Sequence, residues 1–228
     1  GKYDKTSRFG ASVHLAGEIV SEAGIDASSN LAVRTIPRRI GKTLAFADVE
    51  IFADDAILLR GTHVKFMPGG FVLDAVGRPE LRPVVRWYFD NVVSRWRVNV
   101  ADRDFGSFDD VFALEDVVVD DVTARAALAV GRDHCNPVGA LHGGATCFLA
   151  ERLSTQVCAD LVPTSMRVNL MAASKPGDTV KVEARVLDDR PSAGTTTVAA
   201  GITASNGTPT VDAIVRFEDR RVSSRGPS

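Results

Sequence analysis

The chain has 228 residues, 45% of them apolar, enough to bury a substantial core as one large domain or two small ones. A formal charge of -2 and a pI near 6.1 give no broad basic field, which argues against a nucleic-acid binder. No apolar run approaches the roughly 20 residues of a membrane span, no signal-peptide pattern opens the chain, and three cysteines without metal-ligand or CxxC spacing fit no disulfide framework.

The cysteines point to a reducing compartment, so the expected location is intracellular, cytoplasmic or organellar. Mitochondrial import stays open because the chain starts on Gly1 rather than Met.

Residues 10–24 (GASVHLAGEIVSEAG) read first as an apolar helix, followed by strand-like runs at 29–35, 42–52 (KTLAFADVEIF) and 57–66 (ILLRGTHVKF). Pro68-Gly69-Gly70 then breaks the pattern. Leu81, Val84, Val85, Tyr88, Phe89, Val92 and Trp96 recur at helical spacing and predict an amphipathic linker helix, with an Asp-rich surface loop up to Asp110. An alternating run at 122–130 precedes a second apolar helix at 144–158, and a strand-like run follows at 165–171. Runs at 179–187, 195–204 and 209–217 alternate with the two-residue period of half-buried strands, and short turns join them into antiparallel hairpins.

The two halves share an outline. Set beside residues 144–158, residues 10–24 match in Gly, Ala, Leu and Ala at the same offsets, and both are followed by strands, which predicts an internal repeat. The expected organisation is a worn half at 1–68, a linker with an amphipathic helix at 69–107, a complete domain at 108–220 and a tail at 221–228.

The chemistry concentrates at residues 136–152, NPVGALHGGATCFLAER. Glycines at a helix start let a substrate approach the backbone, and the first N–H groups there have no partner within the helix. Together with the helix dipole they can gather the negative charge of a tetrahedral intermediate, so Gly143 and Gly144 are the candidate donors. Glu151 is a carboxylate on an apolar helix, costly to bury without a partner. It lies eight residues beyond Gly143, a rise of about 12 Å, too far for both to touch one carbonyl. A second, antiparallel helix with its own glycine start would bring each acid to the other's N-terminus, so the spacing implies a dimer or a fused pseudo-dimer.

In type and spacing, Asn136, Gly139, His142, Gly143, Gly144 and Glu151 resemble the N-x-x-G-x-x-H-G-G-x6-D/E signature of hotdog-fold acyl-CoA thioesterases of the 4-hydroxybenzoyl-CoA and phenylacetate-pathway type. The resemblance spans residues 108–219, and residues 42–66 look like the closing strands of another such domain. It implies an α+β fold, an antiparallel sheet wrapped around a central helix, in two fused copies with a degenerate first half. The activity implied is thioester hydrolysis of a small-molecule acyl-CoA, with no metal or redox cofactor. Gly143 would donate its N–H to the thioester oxygen, Asn136 would orient the site and Glu151 would serve across the interface as base or nucleophile. His142, Gly144 and Ser165 would complete the substrate site, His142 by shaping the turn. The partners implied are acyl-CoA and further copies of the chain in a homodimer or higher oligomer, without nucleic acid or a membrane span.

On that alignment Gly17 stands opposite Glu151, and Arg8 and Phe9 stand opposite His142 and Gly143. The first half then lacks both functional sets. Glu18 could supply the missing acid, two chains could pair through their second halves, or the protein could have kept the shape and lost the chemistry. His134 beside Cys135 invites a Cys-His dyad, but sequence neighbours align poorly for proton transfer and no third group is evident. His14 and His63 read as packing or surface residues, Cys147 and Cys158 as small core residues.

Overall fold

A computed structural model of the chain describes residues 11–21, 29–54, 56–67, 79–81, 83–84, 87, 91, 108–136, 139–187 and 194–219. The chain divides into two compact units, Gly1–Trp96 and Arg97–Ser228.

In the first unit, β1 (Ala11–Ile19), β2 (Leu31–Ile40), β3 (Leu44–Ala53) and β4 (Ala56–Phe66) form an antiparallel sheet in the order β2-β3-β4-β1. The expectation of a helix at residues 10–24 is overturned, because the described part, Ala11–Ile19, is a strand. Leu15, Gly17 and Ile19 alternate with His14, Ala16 and Glu18, which is a strand period. Gly17 stands opposite Gly61 in β4, and a Cβ on Gly61 would fall 2.3 Å from the Ala16 carbonyl oxygen, so only glycine fits there. Of the predicted linker stripe, Val85, Tyr88, Phe89, Val92 and Trp96 lie outside the described residues. Pro79–Leu81 is a single 3-10 turn, and Leu81 and Val84 are exposed.

The second unit opens with a helical turn, Phe108–Val111, and continues through β5 (Glu115–Val119) and β6 (Thr123–Ala129) to α1 (Gly143–Val157). It ends with β7 (Val162–Leu170), β8 (Thr179–Val186), β9 (Thr195–Ala204) and β10 (Pro209–Glu218). These strands lie antiparallel in the order β7-β10-β9-β8-β6-β5. Helix α1 packs on one face of this sheet. Its buried stripe is Ala145, Thr146, Leu149, Ala150, Leu153 and Ser154, set against Val168, Val182, Ala200, Ala213 and Val215 in one continuous core. Small side chains on the stripe let helix and sheet approach closely. The one buried hydroxyl of the last turn, Ser154, donates to the Ala150 carbonyl at 2.7 Å.

The two units share a strand order, and a second copy of α1 does not lie where the sequence alignment put it. The order β1-β4-β3-β2 in the first unit is the order β7-β10-β9-β8 in the second. Residues 11–19 are a strand and do not repeat α1. With that, the pairing of Gly17 against Glu151 falls, and Glu18 falls with it as a substitute acid, since Glu18 stands opposite Arg60 in the β1–β4 ladder. Arg8 and Phe9 lie outside the described residues.

Candidate functional site at the start of α1

The loop before α1 is tied down by backbone. Cys135 and Leu141 form a β-bridge, Leu141 N–H donates to Ser174 O at 2.8 Å, and His142 N–H donates to His134 O at 2.9 Å. Asn136 closes the turn between them: its N–H donates to Ala140 O at 2.8 Å and its side-chain oxygen accepts from Ala140 N–H at 3.1 Å. Gly139 takes φ +78°, a conformation open to glycine at little cost. Asn136 thus shapes the loop that delivers the helix start.

His142 is the N-cap residue, extended at φ -66° and ψ 136°, and its Nδ1 accepts the Gly144 N–H at 3.0 Å. A Cβ on residue 144 would stand 3.1 Å from that nitrogen, so glycine is what lets the imidazole close over the turn. Of the two donors expected from sequence, Gly144 is therefore occupied by a side chain of its own loop. The Gly143 N–H has no acceptor among the described residues, while its carbonyl accepts from Thr146 Oγ1 at 2.6 Å. Of the two glycine donors, Gly143 is the one the motif leaves at the positive end of the 15-residue helix.

Glu151 lies two turns in. It is not on the buried stripe: it is half-buried and sits about 100° around the helix from Ala150, in line with Cys147 and Thr155. Its only close partner among the described residues is Thr155, whose hydroxyl donates to Glu151 Oε1 at 3.2 Å and to the Glu151 carbonyl at 2.9 Å. Ser165, on β7, stands opposite Arg216 in β10, and no hydrogen bond among the described residues joins it to Gly143 or Glu151. The structure thus gathers Asn136, His142, Gly143 and Gly144 at one helix end and leaves Glu151 and Ser165 apart from them.

The Cys-His alternative is ruled out by hydrogen bonds. Gly131 N–H donates to His134 Nδ1 at 3.0 Å, which places the proton on Nε2, and Nε2 donates to Val111 O at 2.7 Å. Both ring nitrogens are committed to backbone, and the ring stacks on Phe112 at 5.0 Å. Burial, with help from Asp178, raises the Cys135 thiol, and burial pushes the Cys147 thiol up to about 11, so neither is an activated nucleophile. Among the described residues no group of three or more His, Cys, Asp or Glu is placed to hold a metal ion. No helix among them is long and apolar enough to cross a membrane.

No family model matches the sequence, and no curated protein matches it. Solved structures do resemble it in fold. The tesB protein of Mycobacterium avium subs paratuberculosis superposes with a TM-score of 0.59 at 10% identity, covering 92% of this chain and 78% of that one. A putative thioesterase from Novosphingobium aromaticivorans gives 0.58 at 12% identity, covering 92% and 79%. A hypothetical thioesterase from Streptococcus pneumoniae, solved with coenzyme A, aligns over 47% of this chain and 86% of its own at 20% identity and a TM-score of 0.45. The two whole-chain likenesses show a hotdog-type fold, an antiparallel sheet packed on a helix.

Proposed function

We propose that the chain is an acyl-CoA thioesterase of double-hotdog build, with β1–β4 repeating the strand set β7–β10, and that its site forms where α1 meets an acid from a neighbouring domain. The observation that carries this reading is the state of the α1 N-terminus. His142 holds the Gly144 N–H, the Gly143 N–H has no acceptor among the described residues, and Glu151 lies off the buried stripe of the helix. Because Gly143 and Glu151 are about 12 Å apart along one helix, they serve different reaction centres. Two copies of the second unit placed with their α1 helices antiparallel would set each Glu151 against the other's Gly143.

In such a pair the thioester oxygen accepts the Gly143 N–H. The partner's Glu151 carboxylate takes a proton from water as the water oxygen bonds to the carbonyl carbon, and the charge collects on the oxyanion. Collapse of the intermediate breaks the C–S bond. The CoA thiolate leaves and takes the proton back from Glu151. Asn136 and His142 act by fixing the loop, and Ser165 is proposed to meet the acyl group. A panel of acyl-CoAs assayed for thiol release tests the reading. We expect turnover of at least one substrate, reduced about 10²–10⁴-fold in Glu151→Ala. No release from any acyl-CoA by the native chain would sink it.

The same separation of Gly143 from Glu151 favours one second reading, an acyl-binding or structural hotdog subunit without turnover. It predicts acyl-CoA binding that Glu151→Ala leaves unchanged and no thiol release at any concentration.

A further inference from the structure

The first unit carries a cavity of about 550 Å³ on one face of its sheet, lined by residues of all four strands. The ladder registers set its floor. Arg39 stands opposite Phe46, Phe46 opposite Val64 and Val64 opposite His14, so these four form one row across β2, β3, β4 and β1 with their side chains on a common face. Thr62 lies two residues along β4 from Val64, on the same face. The row spans three strand spacings, about 14 Å from end to end.

The chemistry of the row is graded. Phe46 is 40% exposed, a large apolar surface left open on a sheet face. Arg38 is tied to Asp48 on the cavity wall, so those two charges cancel. Arg39 has no ion pair among the described residues and leaves the cavity one uncompensated cation. A guanidinium next to an open aromatic floor is suited to a ligand with one anionic head and an apolar body.

We propose that this cavity binds a small organic anion, its carboxylate or phosphate held by Arg39 and its apolar body laid over Phe46 and Val64. The inference does not rest on the hydrolase reading and uses none of the residues at the start of α1. Octanoate and phenyl phosphate are the two probes that separate the head groups, with octanamide as the neutral match and inorganic phosphate as the head alone. Binding is followed by calorimetry and by the ring signals of His14 in the intact chain. We expect one or both organic anions to bind and shift His14, octanamide to bind at least about tenfold more weakly, and Arg39→Gln to cost about tenfold in affinity. Phe46→Ala should weaken the organic probes and bring them towards inorganic phosphate. Arg39 is exposed, so Arg39→Gln should keep the native circular dichroism, and Glu151→Ala should keep native binding. The proposal is overturned if no probe moves His14, if Arg39→Gln binds as the native chain does, or if inorganic phosphate alone matches the organic anions.

Discussion

At the scale of single residues, the histidines divide by what their nitrogens already do. His134 is a structural residue with both nitrogens in backbone hydrogen bonds, and His142 is a cap whose acceptor nitrogen must stay free of a proton to hold Gly144. Gly144→Ala puts a methyl where that ring sits, and we expect it to lower stability by about 1 kcal/mol, the worth of an N-cap, as read by urea unfolding. His63 is a different case. Burial, and then Lys65, lower its pKa, and its Nε2 lies 2.8 Å from Ser12 Oγ. The unfolded chain therefore binds the proton more readily, so stability is full above the ordinary histidine range and declines as pH falls below it. His63→Asn should flatten that part of the stability profile; an unchanged slope would show that His63 does not cause it. Cys147, raised to about 11 by burial, should react with thiol reagents far more slowly at pH 8 than an exposed cysteine does.

At the scale of elements, α1 permits a clean removal of the proposed donor. Gly143 is the first helical residue and His142 before it is already extended, the backbone that a following proline requires. Gly143→Pro should keep the helix, measured by circular dichroism, while deleting the Gly143 N–H, and thiol release should fall about 10²–10³-fold. Gly143→Ala, which keeps the N–H, should fall much less. β8 and β9 were legible because they alternate, as in Thr179–Val186, where Val180, Val182 and Ala184 are buried and the residues between them exposed; β5, exposed throughout, has no such period and was not read. Residues 11–19 were not, because Gly17 stands where an apolar side chain would have completed the alternation and four coincidences with α1 suggested a helix. The hydrogen bond from the Gly144 N–H to His142 Nδ1 was equally hidden: spacing marks both as loop residues, but which N–H remains open depends on ring orientation.

At the scale of the molecule, the described residues of the second unit form a well-filled core, and the strand order of the first unit matches that of four strands in the second. Leu149 and Leu153 are fully buried between α1 and its sheet, and Leu153→Ala should cost about 2–5 kcal/mol without touching the proposed site directly. The glycine-rich helix start was legible in the sequence, and the proposed acid, Glu151, lies about 12 Å further along the same helix. The sequence could not show which surface completes the site, because that depends on how domains meet and not on any local period. The proposed site needs Gly143 of one copy and Glu151 of another, and subunit complementation measures this most directly. Gly143→Pro and Glu151→Ala chains, each inactive alone, are unfolded and refolded together and assayed for thiol release. Hybrid pairs would each hold one intact site, so the mixture should recover about a quarter of native activity. A mixture no more active than either variant by itself would contradict the account.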